Sequence, residues 1–289
     1  MIVISGRIFQ HSGILPAGMI ESSILQRLQQ DFRIHPYQSI DELRFELEMR
    51  KNIILSARAM SQGRSQFVSF AKSYCNPRYW RLTEMGGFRL RPGVRPSVAI
   101  EDIFRNSSLY GFECATAIMI IYYRAVLKSI GRNLFDRYFA NLYLYSWIED
   151  QDLGLRTYYT YHFIPGDVVY FENPEFHPET PWWRGESAVV LENGTFFGHG
   201  VGIGTAEQML QHLNKARAPW STIPPFLRDS VLRPSFKHLF RIAMQRQGSA
   251  TYKKPPVVIH HNESSISYEH YSHLKKVYNQ MASVNPFLK

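Results

Sequence analysis

The longest apolar run in the chain, around residues 114 to 123, continues at Val126, Leu127 and Ile130, is interrupted by Arg124 and Lys128, and stops at Gly131. With Gly111 and the polar Asn106-Ser107-Ser108 ahead of it, this spacing predicts a helix that begins near Cys114. Upstream, the pattern predicts a short strand at residues 2 to 5 and a helix from Met19 to Leu28. A second helix begins after Ser39, where Ser39-Ile40-Asp41-Glu42 matches a capping box ahead of Leu43, Phe45, Leu47 and Ile53. Residues 89 to 96 read as a turn-rich connector, and Ser97 to Phe104 resume helical spacing. The first hundred residues are therefore expected to be mainly helical.

Beyond the central helix the periodicity changes to that of strands. Tyr158 to Phe163 and Asp167 to Phe171 flank Pro165-Gly166, while Ala188 to Glu192 and Thr195 to Phe197 flank Asn193-Gly194. Asn-Gly between apolar runs predicts a two-residue hairpin turn, pairing Val190 with Phe197 and Ala188 with His199. That register makes Glu186 and His199 diagonal neighbours on one face. From Gln245 onward the chain becomes polar and reads as a flexible extension, with Leu274, Val277, Tyr278 and Met281 spaced for a short terminal helix. The predicted organisation is one catalytic domain over residues 1–244 and a polar extension over 245–289.

Composition narrows the class. The chain has 289 residues, of which 45% are hydrophobic, enough for a sizeable core. Two cysteines, Cys75 and Cys114, exclude a disulfide scaffold and favour a reducing compartment, with Cys75 structural. No basic leader and no apolar segment of membrane-spanning length are seen, so a soluble protein made inside the cell is expected. The net charge of +9 raises nucleic acid as a partner. The basic residues, however, are scattered through amphipathic segments, and no zinc spacing, phosphate loop or ribonucleoprotein-type motif accompanies them. Neither nucleic acid nor membrane is expected to bind.

The candidate chemistry centres on Cys114. At a helix start, unpaired N–H groups and the helix dipole favour an anion, which suits a thiolate better than a mid-helix position does. A buried inert cysteine is the alternative. A helix that starts with a cysteine and packs on an antiparallel sheet bearing Glu186 and His199 supplies a nucleophile and two candidate bases. The fold class expected is α+β, a papain-like cysteine-peptidase-type core with helices packed on an antiparallel sheet and a helical N-terminal part.

Three segments resemble the small bacterial transglutaminases of spore-forming bacilli, which cross-link spore coat proteins: Tyr110 to Ala117, Asn173-Pro174-Glu175-Phe176 and Trp183-Arg184-Gly185-Glu186. Met49 to Ile53, Tyr79-Trp80-Arg81 and Gly198 to Gly202 fit the same family, so the likeness runs from residue 1 to about 243. The resemblance implies Cys114 as nucleophile, Glu186 as its principal partner and Glu113 able to share that role. It also implies an aromatic-walled tunnel, with Phe67, Trp147 and Trp183 at matching positions. Glutamine- and lysine-bearing spore coat proteins are the implied partners, for a monomer made in the mother cell and carried to the coat. No run of acidic residues resembles a calcium loop, so no metal or cofactor is expected.

The implied reaction carries an energetic difficulty. Ordinary pKa values of about 8.5 for Cys and about 4.3 for Glu set roughly 5 to 6 kcal/mol against moving the thiol proton to the carboxylate. A helix terminus offsets at most about 2 kcal/mol of this. Glu186 is therefore expected to be buried and raised, with Glu113 pushing it further and Cys114 resting protonated. The competing enzyme is a papain-like peptidase or amidase using Cys114 and His199. A non-catalytic coat or nucleic-acid-binding protein is the competing reading outside enzymes.

Overall fold

In the computed structural model the described residues are 1–9, 19–245, 253 and 258–284. The N-terminal part carries α1 (Met19–Gln30), α2 (Ile40–Ser61) and α3 (Pro96–Arg105). Ser39 caps α2 by accepting the Glu42 N–H at 3.2 Å, as the capping pattern predicts. The Glu42 carboxylate reaches back to the Gln38 N–H at 2.6 Å, so the reciprocal bond lands one residue before Ser39. Small two- and three-stranded sheets also thread this region, so it is less uniformly helical than its periodicity suggests.

The central helix, α4 (Cys114–Ile130), begins at the expected cysteine and is buried along nearly its whole length. A helix apolar on all sides has to lie inside the molecule. Its two basic residues, Arg124 and Lys128, turn toward Glu101 of α3. Gly131 ends α4 at φ 79°, a conformation open to glycine, and α5 (Arg132–Tyr138) follows directly.

Behind α4 stands an antiparallel sheet ordered Gly202–Gly204, Phe196–Gly198, Gly185–Val190, Val168–Glu172, Ser230–Arg233, Arg156–Tyr159, with Phe226–Leu227 also paired to Val168–Glu172. The middle strand Gly185–Val190 is buried at every position and packs against α4. A second apolar cluster lies under α6 (Ala206–Asn214), and α7 (Phe236–Ala243) packs on α2 and α4.

Three expectations change. The segments around Pro165-Gly166 form strands Arg156–Tyr159 and Val168–Glu172, and Ser230–Arg233 inserts between them. The turn at Asn193-Gly194 has three residues rather than two: Leu191 N–H bonds Thr195 C=O at 2.8 Å and Gly194 takes φ 77°. That left-handed glycine shifts the register, pairing Ala188 with Gly198 and Val190 with Phe196. The diagonal pairing of Glu186 with His199 is therefore not formed. Finally, residues 258–284 are packed onto the domain, with Ile266 and Tyr271 in the core and α8 (Tyr268–Val284) at the expected terminal helix. Average polarity conceals a few well-placed apolar anchors of this kind. Gln247 and Lys254, which could be read as self-cross-linking sites, lie outside the described residues. Among those described, no helix is long and apolar enough to cross a membrane.

Candidate active site

Glu113 and Cys114 occupy the N-cap and first position of α4. The Glu113 carboxylate accepts the N–H groups of Ala115 at 2.8 Å and Thr116 at 2.7 Å, and the Thr116 hydroxyl at 2.8 Å. It is thus turned mainly into its own helix end, also takes the Ser265 N–H, and acts on Cys114 and Glu186 through its charge. Thr116 Oγ1 in turn accepts the Ser146 N–H at 2.9 Å, tying the helix start to the loop before Trp147.

Cys114 is fully buried. Burial first, then the charges of Glu186 and Glu113, hold its thiol well above the ordinary range, against the opposing Ser265 hydroxyl and Ser187 N–H. The sulfur therefore rests protonated. The second cysteine, Cys75, is also a free thiol, half-buried and pushed up to about 12 by burial. The Arg91 charge opposes that rise without overcoming it, so Cys75 too rests as a thiol.

Glu186, the second residue of the buried strand Gly185–Val190, has no exposed surface. Its Oε1 accepts the Gly200 N–H at 3.1 Å, while Oε2 is buried without a hydrogen-bond partner. Burial raises its pKa to about 8 against the backbone donors of Gly200 and His199, and the Glu113 charge adds to the rise. Gly198 and Gly200 make room for it. A Cβ at Gly198 would stand 2.7 Å from the Glu186 carboxylate, and one at Gly200 2.8 Å from the Trp183 ring.

His199 is placed differently from the expectation. Its ring stacks on Phe112 at 4.6 Å and meets the edge of Phe67 at 6.1 Å, with Nε2 buried and unpartnered. Burial lowers its pKa to about 4, despite the carbonyls of Gln66 and Phe112, so it is a neutral part of an aromatic wall near pH 7. Phe67 and Trp183 stack at 4.9 Å in the same wall. Trp147 is buried against the C-terminal segment, where its Nε1–H donates to the carbonyl of Ile266, the residue after Ser265, at 2.8 Å.

Several supporting groups carry no local sequence signal. Asn173 Nδ2 donates to the Trp183 carbonyl at 3.0 Å, fixing the turn that leads into Glu186. Tyr170 directs its hydroxyl to the Ser265 carbonyl at 2.7 Å. Ser265 itself reaches Cys114 from a distant part of the chain. Among the described residues no cluster of three or more His, Cys, Asp or Glu side chains could hold a metal ion.

Comparison with known proteins identifies the family. The family model described as protein-glutamine gamma-glutamyltransferase matches residues 1–243. A protein-glutamine gamma-glutamyltransferase of Halalkalibacterium halodurans is 50% identical over 274 residues, covering 94% of this chain and 96% of its own. One from Bacillus cereus is 45% identical over 237 residues, covering 81% of this chain and 86% of its own. Among solved structures, a transglutaminase from Geobacillus stearothermophilus, without its C-terminal extension, superposes with a TM-score of 0.69 at 44% identity. That match covers 72% of this chain and all of the other. A thiol at a helix start beside a buried carboxylate is thus set in a chain that belongs to the protein-glutamine gamma-glutamyltransferase family, the transglutaminases.

Proposed function

We propose that this transglutaminase forms glutamine-lysine isopeptide bonds through a thioester on Cys114, with Glu186 moving the protons. The observation that carries this reading is the pairing of a buried thiol with a buried carboxylate raised to about 8. Burial raises the carboxylate well above its ordinary range, but it raises the Cys114 thiol too, so the proton moves only as sulfur commits to the substrate carbonyl, and Glu186 is a far stronger base for that step than an unperturbed glutamate. The thiol proton passes to Glu186 as sulfur attacks the glutamine carboxamide carbon. The carbon–nitrogen bond then breaks, and the departing nitrogen takes that proton and leaves as ammonia. A lysine amine next attacks the thioester, Glu186 accepts its proton, and the proton returns to the released sulfur.

The aromatic wall of Phe67, Phe112, Trp183 and His199 suits this sequence, because water reaching the thioester gives deamidation instead of a cross-link. Glu113 acts as a charge that holds Glu186 up. A helix bearing the nucleophile and packed on an antiparallel sheet corresponds to a papain-like core. The neutral, stacked His199 argues against a peptidase that relies on a thiolate-imidazolium pair.

The motif resemblance extends the reading to spore coat proteins as glutamine and lysine donors, acted on by a calcium-independent monomer at the coat. The chain's own side chains suffice for every step as written. Incubation with a glutamine-bearing protein and a fluorescent primary amine, in the presence of a chelator, should give covalent labelling that Cys114→Ala abolishes. Peptide-bond cleavage without labelling would sink the reading.

A further inference from the structure

The C-terminal segment enters the site along its main chain. Three buried or nearly buried side-chain donors reach three of its carbonyls: Tyr145 Oη to His261, Tyr170 Oη to Ser265 at 2.7 Å and Trp147 Nε1 to Ile266 at 2.8 Å. The His261 N–H returns a bond to the Tyr145 oxygen at 3.1 Å. Such contacts recognise a peptide backbone irrespective of its side chains. At the centre, Ser265 sits beside Cys114 with φ 59°, its buried hydroxyl directed at the thiol. At the flanks, Glu263 pairs with Arg184, and Glu269 pairs with Arg228. The family match ends at residue 243, while the Halalkalibacterium halodurans relative aligns over 274 residues and so extends beyond it.

We propose that the cleft filled by residues 261–267 is the groove for the glutamine-bearing polypeptide, and that the C-terminal segment is its built-in competitor, with Ser265 at the glutamine's place. This rests on the transglutaminase reading of Cys114 and adds two properties to it. The preferred glutamine lies in a segment with acidic residues flanking it, the one before it facing Arg184 and the one after it facing Arg228. The resting enzyme is also shielded until such a segment displaces its own tail. Three donors that would otherwise be buried without acceptors explain why the cleft holds a peptide.

Two measurements on the full chain test this. In the first, Glu263→Lys with Glu269→Lys sets like charges against Arg184 and Arg228. Amide exchange across 261–267 should rise, and iodoacetamide should alkylate Cys114 at least tenfold faster relative to Cys75 in the same molecule. A peptide of residues 258–271 added in trans should slow it again. Unchanged exchange, or released tail with unchanged alkylation, overturns the proposal. In the second, Ser265→Gln should become a substrate of its own site. Mass spectrometry should then find residue 265 deamidated, or joined to an added primary amine. If outside proteins are labelled while residue 265 stays intact, the groove assignment fails and the transglutaminase reading stands. If the alkylation result holds but no protein is ever labelled, the reaction is wrong and the shielding stands.

Discussion

Glu186 gains its basicity from burial: one carboxylate oxygen holds the Gly200 N–H and the other has no partner. Activity should therefore follow ionisation of a group near pH 8, rising on the alkaline side, with no limb near 6.5 because His199 stays neutral down to about 4. Glu186→Gln should remove that limb and lower kcat by about 100-fold or more, read from initial rates of amine incorporation. Stability moves the opposite way. A folded pKa of about 8 above the ordinary 4.5 means the contribution is complete below about pH 4.5 and is lost as pH rises through 8. Glu186→Gln should accordingly gain roughly 2 to 4 kcal/mol relative to wild type between pH 5 and pH 9, measured by urea unfolding at both values. The cysteine and its acidic neighbour are visible in the sequence as a thiol at a helix start. Glu113's engagement by its own helix end is a matter of side-chain direction, and no spacing rule reveals it.

Between elements, the site depends on how closely strand Gly185–Val190 approaches the turn after Phe196–Gly198. Gly198 is needed there because a Cβ would strike the Glu186 side chain. Gly198→Ala should shift Glu186 off its position, costing about 1 to 3 kcal/mol in stability and at least tenfold in kcat, measured by thermal unfolding and amine incorporation. The Asn-Gly signal at residues 193 and 194 correctly predicts a hairpin. Loop length is what it leaves open: the left-handed Gly194 forms a three-residue loop and shifts every facing pair by one. One residue of register separates His199 beside the base from His199 stacked on Phe112.

Across the whole molecule, Asp167 joins the helical and sheet layers. Burial acts upward on its carboxyl, but Arg233 and Arg50 outweigh it and hold it below the ordinary range. Arg50 of α2 donates to it at 2.8 Å, and Arg233 of the sheet donates two bonds at 2.6 Å. Asp167→Ala would leave two buried guanidinium groups short of an anion, so a loss of about 3 to 5 kcal/mol is expected in chemical unfolding. The folded tail belongs to this scale too. Its polar composition reads as disorder, yet Ile266, Tyr268 and Tyr271 anchor it to Trp147 and the core.

Local patterning was enough to announce α2, α4 and the hairpin, because helix periodicity, caps and turn residues act over three or four neighbours. It was likewise enough to single out Cys114 and Glu186, whose residue types and motif surroundings are local properties. The distance from one to the other, the burial that raises Glu186, the rotation of His199 into an aromatic wall and the delivery of Ser265 to the thiol depend on contacts between residues 70 to 150 positions apart. Proton affinity is set by the solvent and charges around a group, and those surroundings exist only once the chain has packed.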